Sequence, residues 1–258
     1  KVLASSETVF SPDIVRYKTL ENGDSLALHI FKPRNMQAGE KRPVIVYFFG
    51  GGWKLGTPLQ FYRECAYYAS KGMVAVSVDY RIEYLHHSTP FDSFEDAKDA
   101  ICWLRSHASD YQLDPDKIAV AGGSAGGHLA AALGTIGSDE AVNYRPNLSV
   151  LYYPVVDMVS RGYGFPEIKR DFEKISPIHH VSEATPSTLI LLGTKDPIVS
   201  VETIRSYQDK LLQKGVDCEL HLFEGAGHPI FLYRKPLTED YYKVRKLTDD
   251  FLKREGFL

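Results

Sequence analysis

Apolar residues in this chain follow two rhythms. From Thr8 to Pro33 they alternate with polar residues around Glu21-Asn22-Gly23-Asp24, which predicts an antiparallel hairpin of about Val15–Leu20 and Leu26–Lys32. Further on, Val44–Phe49 is an unbroken apolar run, and Met73–Val78, Ile118–Ala121, Leu148–Tyr153, Leu189–Leu192 and Cys218–Phe223 read as further strands. Continuous runs of this length mark strands buried on both faces. Between them the spacing turns helical over Phe61–Ser70, Phe94–His107, the small-residue stretch from Ala125, Val201–Leu212 and Tyr241–Lys253. Leu113-Asp114-Pro115-Asp116-Lys117 reads as a turn and Val155–Ala184 as a looser stretch. Strands alternating with helices predict an α/β fold: a mainly parallel central sheet with helices on both faces, and the hairpin antiparallel at one edge. One domain is expected over residues 1–258. In such sheets, sites form at the carboxyl ends of the strands.

Composition narrows the partners. With 44% hydrophobic and 24% charged residues in 258, the chain has the make-up of an ordinary globular protein. A formal net charge of −3 and an isoelectric point near 6.3 give no electrostatic footprint for nucleic acid or a membrane surface, and no apolar run is of membrane-spanning length. Neither partner is expected. Cys65, Cys102 and Cys218 are odd in number and widely spaced, so they read as small apolar side chains and not as a disulfide framework. The chain opens at Lys1; read as a mature chain after signal removal, it is expected in the periplasm or outside the cell, the cytoplasm being the alternative.

The candidate chemistry centres on Gly122-Gly123-Ser124-Ala125-Gly126, a G-x-S-x-G pattern between a predicted strand and a predicted helix. A serine on so tight a turn takes strained dihedrals, glycines on either side admit close backbone, and the helix N-terminus favours developing negative charge. Serine hydrolysis also needs a base and an acid that orients it. Asp196 follows Ser124 by 72 residues and His228 follows Asp196 by 32, each just after a predicted strand. Ser124 is the expected nucleophile, His228 the base and Asp196 the orienting acid, with Asp157 as the rival acid. That chain order is the one found in α/β-hydrolases.

An oxyanion needs donors already aimed at it. Gly50-Gly51-Gly52 ends a buried strand, so Gly51, Gly52 and Ala125 are the expected donors, with Trp53 packing the loop or flooring the pocket. Among the other histidines, His29 and His221 fall inside strands and His107 near a helix end. His128 is expected to pack along the elbow helix, and His86-His87 and His179-His180 lie in loops. No spacing suits a metal, and no metal or cofactor is expected.

With these residues in hand, the chain resembles the α/β-hydrolase superfamily. More narrowly it resembles the esterase/lipase group that contains hormone-sensitive-lipase-like enzymes and the Bacteroides-type feruloyl and acetylxylan esterases. The resemblance runs from about Pro43 to the C-terminus through Phe49-Gly50-Gly51-Gly52-Trp53, Asp79-Tyr80-Arg81, the Gly122–His128 stretch, Tyr153-Pro154-Val155-Val156-Asp157, Ser176-Pro177, Gly193-Thr194-Lys195-Asp196 and Gly227-His228. Phe49 departs from it, since the group usually has histidine there to order the loop by hydrogen bonding. There is little room for a helical cap; the candidates for a lid are the N-terminal segment and Val159–His180. Trp53, His128, Tyr163 and Phe165 are the candidate substrate contacts. The resemblance implies a serine carboxylesterase taking short acyl groups, acetyl or feruloyl, from a small-molecule or oligosaccharide ester. An arylformamidase-like amide hydrolase, a prolyl-oligopeptidase-like peptidase and a non-catalytic binding protein of the same fold are the alternatives.

Overall fold

The structure, a computed structural model, describes residues 11–137, 143–159, 166–233 and 237–258. Eight strands form one sheet in the order β1-β2-β4-β3-β5-β6-β7-β8. They are β1 (Asp13–Thr19), β2 (Ser25–Phe31), β3 (Arg42–Phe48), β4 (Val74–Val78), β5 (Leu113–Gly123), β6 (Leu148–Tyr152), β7 (Ser187–Gly193) and β8 (Cys218–Phe223). β1 and β2 form the expected edge hairpin, antiparallel to each other and to β4, and the remaining pairs are parallel. The parallel strands fall on the predicted strand segments; Val44–Phe49, Val74–Val78 and Ile118–Gly123 are buried throughout, while the edge strand β8, with Glu219 and His221, is half-buried along its middle.

The helices are α1 (Tyr62–Ser70), α2 (Glu83–His86), α3 (Pro90–Ser106), α4 (Ala108–Tyr111), α5 (Ala125–Thr135), α6 (Val201–Gln213) and α7 (Glu239–Arg254). From β3 the chain passes through α1 to β4 on one side, then doubles back through α3 to β5 and onward through α5 to β6. Right-handed crossovers that run in opposite directions lie on opposite faces of the sheet. Accordingly α3 packs on α5, while α1 meets α7, where Tyr67 and Tyr68 donate to the Asp249 carboxylate at 2.5 and 3.0 Å. This reversal of direction opens the carboxyl edge between β3 and β5, where the glycine loop and the elbow emerge side by side.

Two local readings change. Leu113–Lys117 is not a free turn: β5 already pairs at Leu113 with Arg42, and the next pair is Ile118 with Val44. The extra residues bulge out of the strand, closed by the Asp116 N–H donating to Asp114 Oδ1 at 3.0 Å. Helix α3 starts four residues earlier than the apolar period shows, because the Asp92 carboxylate caps it by accepting from the Thr89 N–H at 2.8 Å. Between β6 and β7 the described chain forms two 3-10 turns, Pro166–Ile175 and Pro177–His179. Cys65 and Cys218 are buried and Cys102 half-buried, all three as free thiols.

Candidate active site

Ser124 sits at the junction of β5 and α5 with φ 57° and ψ −117°, a conformation that costs an L-residue about 1–3 kcal/mol. Its own backbone holds it there: the N–H donates to the Tyr152 carbonyl at 3.1 Å, and the carbonyl accepts from the His128 N–H at 2.9 Å. The flanking glycines are required by close approach. A Cβ on Gly126 would lie 2.0 Å from the Phe48 carbonyl oxygen, and one on Gly122 would lie 2.4 Å from the Gly126 carbonyl carbon. The elbow therefore rests directly on the end of β3.

Asp196 and His228 come from the turns after β7 and β8. The two turns are laced together: the Lys195 N–H donates to the Ala226 carbonyl at 2.9 Å and the Gly225 N–H to Thr194 Oγ1 at 2.8 Å. The Asp196 side chain is fully buried. Oδ1 accepts from the Ile198 and Val199 N–H groups at 2.8 and 2.9 Å, and Oδ2 lies 2.7 Å from His228 Nδ1. A carboxylate at that distance places the imidazole proton on Nδ1 and leaves Nε2 as an acceptor. Ser124 Oγ lies 2.8 Å from that Nε2. The three side chains thus form one hydrogen-bonded line from a buried acid to a strained hydroxyl. Asp157 takes no part in it; its Oδ1 accepts from the Val159 N–H at 3.0 Å.

The glycine loop is built beside the elbow. Gly51 has φ 144° and Gly52 φ 64°, and a Cβ on Gly51 would fall 1.9 Å from the Leu55 carbonyl oxygen. The Gly51 carbonyl accepts from the Lys54 and Leu55 N–H groups, both at 3.2 Å, and closes the turn. Phe49 is the position at which the sequence departs from the expected pattern. It orders the loop by packing: its ring stacks on Tyr80 at 4.1 Å and 13°, and its carbonyl accepts from the Tyr80 hydroxyl at 2.6 Å. Gln60 Oε1 accepts from the Gly50 N–H at 2.6 Å. Gln60 and Tyr80 escaped sequence reasoning as site residues. Tyr80 lies in the Asp79-Tyr80-Arg81 stretch that carried the resemblance, which was the available signal; Gln60 carried none.

The expected substrate contacts fare differently. Trp53 is 1% exposed and His128 0%, and the Trp53 indole N–H donates to His128 Nδ1 at 3.3 Å. Neither presents a surface to a substrate, so both are corrected to structural members of the site. Burial pulls the His128 imidazole down to about 4. Tyr163 and Phe165 lie outside the described residues. Tyr153, which sequence reasoning did not single out, has φ 39° and sets its ring against His228 at 4.9 Å and 62°. Asp79 and Arg81 work behind the site. Arg81 clamps Asp96 through Nε at 2.8 Å and Nη2 at 2.9 Å, and burial beside Asp96 pushes the Asp79 carboxyl up to about 6. Among the described residues no group of three His, Cys, Asp or Glu is placed to hold a metal ion, and no helix is long and apolar enough to cross a membrane.

A serine on a strand-to-helix elbow, facing a glycine loop and an Asp–His pair at the carboxyl edge of this sheet, defines an α/β-hydrolase of the esterase/lipase group. Solved structures agree: a thermophilic esterase from Thermogutta terrifontis with propionate bound superposes with a TM-score of 0.88 at 38% identity, covering 96% of this chain and 95% of that one. The BD-FAE family profile matches residues 28–167, more than half of the chain, and the chain belongs to that family. It is also similar to the probable carboxylic ester hydrolase LipM of Mycobacterium tuberculosis, with 28% identity over 75% of this chain and 50% of LipM. Likewise it is similar to an acetylxylan esterase of Xylanibacter ruminicola, with 25% identity over 74% of this chain and 42% of that protein. The chain spans about half the length of these curated relatives.

Proposed function

We propose that this chain is a serine carboxylesterase that removes short acyl groups, acetyl or feruloyl, from a carbohydrate or other bulky alcohol. The observation that carries the reading is the unbroken line Asp196–His228–Ser124, with 2.7 and 2.8 Å contacts, ending on a hydroxyl held at positive φ. Ser124 Oγ attacks the ester carbonyl while His228 Nε2 takes its proton. The carbonyl oxygen becomes an oxyanion that the Gly51, Gly52 and Ala125 N–H groups receive. Asp196 holds the tautomer and offsets the imidazolium charge. His228 then gives its proton to the leaving alcohol, and water enters along the same route to free the acid from the acyl-enzyme. Buried donors pre-aimed at the oxyanion each contribute about 3–4 kcal/mol of transition-state stabilisation.

Similarity to LipM, to the acetylxylan esterase and to a propionate-bound esterase supports ester hydrolysis and short acyl groups. Acetate release from acetylated xylo-oligosaccharides tests the substrate class, with wild type and Ser124→Ala assayed in parallel. Release by wild type alone is the expected result. Cleavage of p-nitrophenyl acetate without release from the oligosaccharide would refute the xylan substrate and retain the esterase. Cleavage of N-formyl anilines in preference to every ester would replace it with an amide hydrolase.

A further inference from the structure

His128 lies in the first turn of α5, four residues past the serine, and both of its ring nitrogens are engaged. Nε2 lies 2.7 Å from the Ile175 carbonyl, which can only accept, so the imidazole proton sits on Nε2 and Nδ1 is an acceptor. The Trp53 indole N–H, which can only donate, meets that Nδ1 at 3.3 Å with the rings edge to face at 5.2 Å and 82°. Trp53 immediately follows Gly51 and Gly52 and has φ 60° itself, so its side chain is continuous with the backbone turn that carries the oxyanion donors. Gln60 and Tyr80 fix the front of that loop through Gly50 and Phe49; Trp53 on His128 fixes its rear. Ile175 closes the Pro166–Ile175 turn, part of the stretch between β6 and β7. The same imidazole therefore joins the 166–175 segment, the elbow helix and the glycine loop.

We propose that His128 is a positioning residue for the oxyanion hole. Through Trp53 it sets the aim of the Gly51 and Gly52 N–H groups, while its bond to Ile175 fixes the imidazole tautomer that accepts from Trp53. The proposal rests on the reading of Gly51, Gly52 and Ala125 as oxyanion donors. His128 has no exposed surface with which to touch substrate, so its effect belongs to the transition state. Donors must lie about 2.7–3.1 Å from the place the oxyanion will occupy, and a shift near 1 Å in such a site costs roughly a hundredfold in rate.

Three variants separate the two bonds. Trp53→Phe keeps a ring and deletes the donor. His128→Asn places an amide oxygen where Nδ1 stands and keeps the acceptor for Trp53, whereas His128→Gln reaches toward Ile175 and gives that acceptor up. Each is assayed on p-nitrophenyl acetate and with an aryl trifluoromethyl ketone, whose serine adduct carries an oxyanion. Rates are scaled to active sites titrated with paraoxon, so a loss of folded protein is not read as a loss of rate. Trp53→Phe and His128→Gln are expected to lose roughly tenfold to a hundredfold in kcat, with KM within twofold and the ketone Ki raised by the same factor as kcat falls. His128→Asn should stay within about threefold of wild type, and the Trp53→Phe/His128→Gln double variant should be no worse than its worse parent, since both delete one bond. Wild-type kcat and Ki per titrated site in Trp53→Phe would overturn the proposal, as would a fall in kcat with Ki unchanged. If the His128 variants do not fold, Trp53→Phe decides alone. A wild type with no serine-dependent hydrolysis would instead refute the esterase reading, and this proposal with it.

Discussion

Gly51 and Gly52 are adjacent, both at positive φ, yet alanine should have unlike effects at the two. At Gly51 a new Cβ would lie 1.9 Å from the Leu55 carbonyl oxygen, where an ordinary contact begins near 3.4 Å, so the turn must open by about 1.5 Å. A donor displaced that far from an oxyanion about 2.9 Å away no longer bonds it. Losing one such donor costs about 3–4 kcal/mol of transition-state stabilisation, or roughly a hundredfold to a thousandfold in kcat. At Gly52 the Cβ would meet nothing within 4 Å, and φ 64° is the ordinary left-handed region. The cost there is the conformational penalty alone, about 1–2 kcal/mol of stability, with the N–H left in place. Steady-state kinetics on p-nitrophenyl acetate, with thermal midpoints as the folding control, compares them directly. Gly51→Ala is expected to lose kcat with little change in KM, and Gly52→Ala to keep kcat within about tenfold of wild type. A folded Gly51→Ala enzyme with the kcat of Gly52→Ala would refute the assignment of this turn as the oxyanion hole.

Three further outcomes follow from the same geometry. Asp196→Asn retains an acceptor for the Ile198 and Val199 N–H groups but offers His228 no carboxylate, so kcat should fall about a thousandfold or more while Asp157→Asn stays near wild type; the reverse pattern would make Asp157 the acid. Tyr80→Phe keeps the stack on Phe49 and leaves the buried Phe49 carbonyl without its 2.6 Å donor, a loss of about 1–3 kcal/mol and roughly 2–10 °C in thermal midpoint; an unchanged midpoint would count against that bond. His128, drawn down to about 4 from 6.5, binds its proton in the unfolded chain before the folded one, so its stabilising contribution is present above pH 6.5 and is lost as pH falls toward 4, by about 3 kcal/mol. Asp79, pushed up to about 6 from 3.8, acts with the opposite sign over much of that window, its folded form taking the proton first. Chemical denaturation across pH 4–7 should therefore show a slope that differs in opposite directions in His128→Asn and Asp79→Asn, and a shared direction would refute the sign of one of them.

Burial made the fold legible in sequence. The inner parallel strands are covered on both faces and so were written as runs of apolar and small residues, whereas the edge strand β8 is half-buried and keeps Glu219 and His221; the hairpin declared itself by alternation around Asn22-Gly23. One-turn elements were not legible: α2 and α4 are four residues each, too short for any helical period to register. The Leu113–Lys117 bulge was invisible for a related reason, because proline and aspartates spell a turn whether or not the flanking leucine returns to the sheet. In the site, Ser124, Asp196 and His228 were named because each follows a strand and has a chemistry of its own. Gln60 acts through the N–H of a residue 10 positions away, and Tyr80 through the carbonyl and ring of one 31 positions away, pairings that residue type does not encode. His128 and Trp53 show the converse, since residues with suitable chemistry beside the nucleophile proved to be buried against each other.

The central claim is that Ser124 is an activated nucleophile. Intact-protein mass spectrometry after incubation with a fluorophosphonate measures this most directly, on wild type, Ser124→Ala and His228→Ala. One adduct per wild-type chain, located on the peptide carrying Ser124, is expected, with none on Ser124→Ala and labelling slowed by orders of magnitude on His228→Ala. An unlabelled wild type, or equal labelling of Ser124→Ala, would contradict it.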